Sequence, residues 1–467
     1  MIQGLNVDSA LSLSVLQMQY FGVVIVKIED SKLSIVTTEK SENLDSFKAL
    51  HKDKTLEINT INEDSFNSLI EYLQVEEQIN KYKSSMLQEI NDEITQDGTS
   101  SAMNLLTLIL QESIYKNASD IHFEKDMNNM RIRLRVDGIL IDRFLFEEVC
   151  FAPLSLCLKL IANLEITENS VAQDGRFSFN LKRKNGENNE FDFRVSTLPL
   201  IDGESIVLRI LDKNKTILTL DNLGFCESQL QKLEYLYNLP YGLVLVTGPT
   251  GSGKSTTLYG MLNIIKNKNL KIITIEDPVE YRLQEISQVA INHKVSFSNV
   301  LRNVLRQDPD VIMIGEVRDK ETLKIAIQAA FTGHLVFATL HTNDSLDAIS
   351  RILELGLEPY FISQALSGII SQRLIRKLCT CKEKTDIGFI KKACQKCSFT
   401  GYKDREVIAE ILLNDESLSD FINGKITKSE LLEIIEAKHE NFSLTSQAML
   451  KVKSGITDID EVYRVVK

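Results

Sequence analysis

Apolar positions along this 467-residue chain change their spacing several times, and each change marks a predicted element. A helix-like apolar start is followed by two strand-like runs, Val23-Val24-Ile25-Val26-Lys27-Ile28 and Leu33-Ser34-Ile35-Val36, which make residues 1–75 a small α+β domain. Residues 76–100 are polar and end in small residues, from Glu76-Glu77-Gln78 to Gln96-Asp97-Gly98-Thr99-Ser100, a pattern that predicts a linker. Periodicity resumes at Ala102 with a helix to about Lys116. It then switches to a period of two in Arg131-Ile132-Arg133-Leu134-Arg135-Val136, placing Ile132, Leu134 and Val136 on one strand face and three arginines on the other. Strands over 176–182 and 190–197, flanking Lys184-Asn185-Gly186, predict a hairpin, and a third strand covers 205–211. Residues 101–212 thus read as a second α+β domain, closed by a short linker at 213–220.

From Asp221 the pattern is of another kind. Gly242-Leu243-Val244-Leu245-Val246-Thr247 is a short buried strand and 256–265 a helix. Strands over 271–276, 311–314 and 335–340 then alternate with helical stretches, which predicts an α/β core whose mainly parallel sheet is covered by helices. In such a sheet the carboxyl ends of the strands form the ligand rim. The polar segment 404–467 reads as short amphipathic helices, for example 429–437 with Leu431, Leu432, Ile434 and Ile435 on one side.

Composition narrows the function classes. A length of 467 residues implies two to four domains, and 43% hydrophobic residues support folded structure throughout. A formal net charge of −12 argues against a general nucleic-acid surface and against strand translocation, while leaving room for a local basic patch. No apolar run approaches the roughly 20 residues that span a bilayer, and the amino terminus has no basic flank leading into an apolar core, so the expectation is a cytoplasmic chain without a transmembrane segment.

The chemistry centres on Gly248-Pro249-Thr250-Gly251-Ser252-Gly253-Lys254-Ser255-Thr256, a complete phosphate-binding loop placed between a strand and a helix. Its glycines let successive N–H groups and the positive helix end point at phosphates. Lys254 is then the side chain for the β- and γ-phosphates, and the Ser255 hydroxyl the ligand for Mg²⁺. Two acidic clusters lie at predicted strand tips, Ile275-Glu276-Asp277-Pro278-Val279-Glu280 and Gly315-Glu316-Val317-Arg318-Asp319. Hydrolysis needs one carboxylate to orient water in line with the γ-phosphate and another group to hold the metal shell; Glu316 and Glu280 are the candidates. His334 and His341 bracket the strand between them and cannot share a metal ion. His341, at the carboxyl end with Thr342 and Asn343, is placed to report the γ-phosphate to the next helix; for His334 a structural role is equally open.

Of seven cysteines, Cys150, Cys157 and Cys226 are scattered and read as small core residues. The other four form Cys379-Thr380-Cys381, twelve intervening residues, then Cys394-Gln395-Lys396-Cys397, which supplies four thiolates for a tetrahedral structural Zn²⁺, with free thiols as the alternative.

These ordered motifs, with Leu305-Arg306-Gln307-Asp308-Pro309-Asp310 and the stretch from Thr332-Gly333-His334 to His341-Thr342-Asn343, resemble the secretion ATPase superfamily. Within it the chain looks like a type II secretion or type IV pilus assembly ATPase. The resemblance runs from about residue 100 to 410 and includes Ala118-Ser119-Asp120-Ile121-His122 and Arg194-Val195-Ser196-Thr197-Leu198-Pro199. It implies a RecA-like phosphate-loop core at 221–467 carrying a cysteine insert at 379–402, preceded by a PAS-like α+β domain. It further implies a homo-hexameric ring that binds ATP, Mg²⁺ and Zn²⁺, with Glu316 as the Walker B glutamate and Glu280 as the acidic-box glutamate. By the same likeness Arg194 and Arg209 are presented to the γ-phosphate in the assembled ring. Phe399-Thr400-Gly401-Tyr402 agrees with the family's zinc insert, although the first cysteine pair is one residue tighter than usual.

The resemblance also implies that the amino-terminal domain recruits the chain to the inner membrane through platform and cytoplasmic-domain partner proteins, with no direct nucleic acid. The arginine- and glycine-containing repeats with which some relatives bind a cyclic dinucleotide are not seen in residues 1–80. Two other functions compete: a retraction motor of the same superfamily, and a nucleotide-dependent membrane scaffold that does not hydrolyse.

Overall fold

The computed structural model describes residues 5–92, 101–182, 188–212, 219–291, 295–385, 388–394, 397, 400–439 and 441–466. By compactness the chain divides in two. The first unit comprises Met1–Asp212, Cys379–Lys382 and Lys391–Lys403, and the second Lys213–Leu378, Glu383–Ile390 and Asp404–Lys467. The cysteine-bearing stretches, expected as part of the core, therefore group with the first unit.

The first unit opens with β1 (Val23–Ile28), β2 (Lys32–Thr38) and β3 (Thr55–Ile61) in that spatial order, β1 antiparallel and β3 parallel to β2. The continuous apolar run of β1 buries Val23 and Ile25 around Phe47 on one face and Val24 around Met18 and Leu73 on the other. A helix, Glu63–Asp92, follows. It overturns the linker expected at 76–100 as far as Asp92; 93–100 lie outside the described residues. Ile79 and Met86, seven positions apart, are buried with Leu105, Leu106 and Ile109 of the helix Ser101–Tyr115. Apolar residues this sparse still mark one side of a helix, and the polar remainder had disguised it. The half-buried Arg143 guanidinium fastens the pair of helices, 2.7 Å from Glu76 and 3.1 Å from Glu112.

Six strands make the second sheet of this unit: β4 (Ala118–Lys125), β5 (Asn129–Val136), β6 (Ile139–Glu147), β7 (Gln173–Lys182), β8 (Asn188–Leu200) and β9 (Gly203–Asp212). Their order is β6-β5-β4-β9-β8-β7, antiparallel throughout. Alternation holds as expected on β5, where Ile132 and Leu134 are buried with Leu154 and Leu158 of the helix Phe151–Ile161. The opposite face carries charge. Arg176, Arg194, Arg209, Asp120 and Arg135 are register partners in a row across β7, β8, β9, β4 and β5. The expected turn at Lys184-Asn185-Gly186 and all but the end of the linker at 213–220 lie outside the described residues.

In the second unit β10 (Gly242–Thr247), β11 (Ile272–Glu276), β12 (Ser287–Ala290), β13 (Val311–Ile314), β14 (Leu335–Leu340) and β15 (Leu366–Leu378) precede a small antiparallel hairpin, β16 (Glu383–Thr385) with β17 (Gly388–Ile390), and β18 (Tyr402–Leu413). The main sheet runs β12-β11-β13-β14-β10-β15-β18, and β12 through β15 in that order are joined by parallel pairs. The α/β core with a mainly parallel sheet is thus observed. Its strands are apolar on both faces because helices cover both: Leu245, Ile312 and Val336 face one layer, Val244, Met313 and Phe337 the other. The reading of 404–467 as helices needs correction at its start. Val407, Ile408, Ala409, Ile411 and Leu412 are buried in β18, a run doubly covered like the other core strands. Helices follow, and in Lys428–Lys438 Leu431 and Ile435 are the buried positions.

Candidate active site

Parallel pairing puts the carboxyl ends of β10, β11, β13 and β14 on one edge, and the polar residues of interest follow those ends. The loop after β10 turns on Gly248, Gly251 and Gly253 at φ 146°, 78° and 89°, and Lys254 opens the helix Lys254–Ile265. At Gly248 a side chain is sterically excluded: a Cβ there would stand 2.5 Å from the Gln372 carbonyl and from Ser252 Oγ. Pro249, Thr250, Gly251 and Ser255 are exposed, Gly253 and Thr256 half-buried, and Ser252 buried. The loop therefore offers its backbone and the Ser255 hydroxyl outward.

Lys254 folds back on its own loop, donating to the carbonyls of Gly248 at 2.7 Å and Pro249 at 3.1 Å. Burial disfavours its charged form and brings its pKa down to about 8, against the pull of the Glu316 carboxylate.

Glu316 follows β13 and is set by backbone contacts on either side. The Gly315 amide donates to Ile275 O of β11 at 2.7 Å, and the Val317 amide to Thr339 O of β14 at 3.0 Å. Arg318 pairs with the Glu316 carboxylate at 2.6 Å, and His341 Nε2 stands 3.5 Å from it. Burial alone would raise the Glu316 pKa; the Arg318 hydrogen bond and charge, with Lys254 behind them, outweigh it and hold the group below the usual carboxylate range. His341 is shifted down, first by burial and then by Lys254, so its imidazole is neutral at physiological pH.

Two hydroxyls tie β10 to the segment after β14: Thr247 Oγ1 and Thr342 Oγ1 are 2.6 Å apart, and the Thr342 amide donates to Thr247 Oγ1 at 3.1 Å. Arg373 of β15 donates to the Asn343 carbonyl at 2.6 Å. Asp344 then caps the helix Ser345–Glu354 through the Asp347 amide at 2.7 Å. His334, at the other end of β14, contacts the Ala329 carbonyl at 2.8 Å through Nδ1.

Glu280 lies beyond the tip of β11, half-buried. Its amide donates to the Tyr259 hydroxyl, which itself donates to the buried Glu276 carboxylate. Tyr259 belongs to the helix that Lys254 opens, and its ring meets that of Tyr281 edge-on at 4.6 Å. Glu276 is thereby committed to a closed network with Tyr259, Thr274 and Gln288, whereas among the described residues no ion pair engages Glu280.

Arg194 and Arg209 stand side by side on β8 and β9 of the first unit. Arg209 Nε is 3.2 Å from Asp120, which also lies 3.8 Å from Arg135.

The four cysteines converge. Their Sγ atoms all lie within 4.8 Å of one another, with Cys379 to Cys394 and Cys397 to Cys394 at 3.7 Å and Cys381 to Cys397 at 3.9 Å. A tetrahedron with metal–sulfur bonds of about 2.3 Å has sulfur–sulfur edges of about 3.8 Å, so the set fits Zn²⁺ in spite of the tight first pair. Gln395, Lys396 and Phe399 lie outside the described residues.

Sequence reasoning missed Arg318, Gln372, Arg373 and the Thr247–Thr342 bridge. One signal was present: Ser371-Gln372-Arg373 interrupts the apolar run of β15, yet all three are buried. Buried polar side chains in a core strand are expected to have a specific task.

Comparison with known proteins places these features in context. Residues 95–464 match the family described as type II/IV secretion system protein. The chain is 39% identical over 401 residues to the type II secretion system ATPase E of Vibrio cholerae serotype O1, covering 82% of this chain and 78% of that one. It is 38% identical over 399 residues to the type II secretion system protein E of Pseudomonas aeruginosa, covering 81% and 78%. Among solved structures, the pilus retraction motor PilT with bound ADP aligns at TM-score 0.55 with 29% identity, covering 77% of this chain and 96% of that one.

Proposed function

This chain belongs to the type II/IV secretion system protein family, and from that premise we propose that it is the hexameric motor driving pseudopilin or pilin assembly in a type II secretion, type IV pilus or competence DNA-uptake machine. It is an ATPase of the secretion superfamily, acting with ATP and Mg²⁺. The observation that carries the site assignment is the meeting of Lys254, Glu316 and His341 at one edge of the core sheet.

In this reading the loop amides and Lys254 hold the β- and γ-phosphates, with Lys254 leaving the Gly248 and Pro249 carbonyls to do so. The Ser255 hydroxyl would hold Mg²⁺, which would neutralise charge on the phosphates. Glu316 and Glu280 orient the attacking water, while His341, joined to β10 through Thr342, senses the γ-phosphate. Arg194 and Arg209 act on the nucleotide of a neighbouring subunit, where their charge stabilises the transition state. Zn²⁺ held by Cys379, Cys381, Cys394 and Cys397 is structural, because four protein ligands leave no open position for water.

No helix among the described residues is long and apolar enough to cross a membrane. In this reading platform and cytoplasmic-domain partners hold the chain at the inner membrane, engaged through the domain of β1, β2 and β3. The alternative is a retraction motor, the activity for which PilT is named. The cysteine cluster and the amino-terminal domain favour assembly.

Mixing variants tests the ring. Arg194→Ala and Lys254→Ala proteins, each inactive alone, are expected to regain part of the native ATP turnover when assembled together, since one supplies the arginine and the other the loop. Absence of any recovery in mixed assemblies would reject catalysis between subunits.

A further inference from the structure

Ser252 sits between two glycines in the left-handed region, Gly251 at φ 78° and Gly253 at φ 89°. The peptide joining residues 252 and 253 turns over at reduced steric cost, because Gly253 on its far side has no Cβ to restrict it. Phosphate binding, however, needs the amides of this loop aimed outward, and the Ser252 carbonyl then faces the interior. A carbonyl that leaves water needs a donor.

The donor is Gln372 of β15. Its Nε2 lies 2.8 Å from the Ser252 carbonyl, and the residue is wholly buried. The fit is close, since a Cβ at Gly253 would come 3.1 Å from that same Nε2. Oε1 of the amide is buried with no hydrogen-bond partner among the described residues. Among the described residues the Ser252 bond is therefore the one polar contact of the side-chain amide. Lys254 makes the contrast: its bonds to the Gly248 and Pro249 carbonyls must break before it reaches a phosphate, whereas the Gln372 bond comes from the sheet behind and can persist.

We infer that Gln372 is a positioning residue for nucleotide binding: it holds the 252–253 peptide so that the loop amides are aimed at the phosphates before nucleotide arrives. This rests on the reading of the Lys254 loop as the nucleotide site.

Gln372→Met keeps the length and apolar stem of the side chain but has no donor. In the full chain it is expected to weaken ADP binding about tenfold by calorimetry, as for loss of one hydrogen bond to a buried acceptor, and to raise KM for ATP in step. Turnover at saturating ATP is expected to change less than about threefold, as it does when uniform binding is lost. The thermal midpoint without nucleotide should stay near native. Gln372→Asn keeps the amide but falls one methylene short, and should lie between the two. Native ADP affinity in a folded Gln372→Met protein overturns the inference, and so does a lowered midpoint with unchanged affinity. If that variant does not fold, Gln372→Asn decides: an affinity several-fold weaker supports the role, a native one overturns it. Lys254→Ala is the control. Normal ADP binding by Lys254→Ala would reject the site itself, whereas loss there beside native affinity in Gln372→Met rejects the positioning role alone.

Discussion

His341 Nε2 lies 3.5 Å from the Glu316 carboxylate, joining residues that follow the neighbouring strands β14 and β13. Because the imidazole is neutral and the carboxylate ionised, the contact is polar but carries no full charge pairing; Arg318 supplies that at 2.6 Å. Glu316 is thus a fixed negative charge at the strand edge, held by two residues beyond the phosphate loop.

Glu316→Gln keeps the size and removes the charge. ATP turnover is expected to fall by at least about a hundredfold, the scale of a lost transition-state electrostatic contact, with ADP affinity within a few-fold of native. Steady-state hydrolysis beside calorimetric binding separates the two, and unchanged turnover would remove Glu316 from the reaction.

The Lys254 shift sets a pH dependence for binding. Free Lys254 loses its proton near pH 8, whereas phosphates favour the charged form, so above that pH binding must take up a proton. ADP affinity is expected to weaken from about pH 8 upward, approaching tenfold per pH unit, with proton uptake visible as a buffer-dependent binding enthalpy. Lys254→Arg should flatten the profile. Without nucleotide the sign concerns the fold. Unfolded lysine keeps its proton up to its ordinary 10.5 and the folded one only to about 8, so this group makes the native state more stable as pH rises across that window.

In the first unit, Lys159 and Glu204 form a buried ion pair at 2.9 Å, with 2% and 5% of their side chains exposed. Lys159 also reaches the Glu168 carbonyl at 2.9 Å and thereby fixes the stretch between the helix Phe151–Ile161 and β7. Lys159→Met leaves a buried carboxylate unpaired and is expected to destabilise by about 3–5 kcal/mol in denaturant unfolding. Adding Glu204→Leu should restore a large part of that, since an apolar pair can replace a buried ionic one. A double variant as unstable as the single one would contradict this.

Metal analysis of the purified chain is expected to find one Zn²⁺ per chain. Cys394→Ser should lose most of it and lower the thermal midpoint, because binding free energy at a structural site is folding free energy. Full metal content and native stability in that variant would dismiss the cluster as a zinc site.

The sequence by itself determined the chemistry and the core. A phosphate loop between an apolar strand and a helix, acidic clusters after two later strands and four cysteines at metal spacing are local patterns; the loop and acidic residues follow the strands expected, and the cysteines converge, although their stretches group with the first unit and not with the core. Local patterns fail where a residue's role is set by distant neighbours. The 76–92 part of helix Glu63–Asp92 was hidden because its buried residues are few, and β18 because its strand run precedes a truly helical tail. Only the tertiary structure decided that Arg318 and His341 share Glu316, and that Glu276 is spent on Tyr259 while Glu280 is not. It also decided that Gln372 stands 120 residues beyond the carbonyl it supports. The physical reason is common to all of these. Hydrogen bonding and burial act through space across adjacent strands, and adjacency in a parallel sheet is fixed by the order of crossovers, which spacing along one chain does not encode.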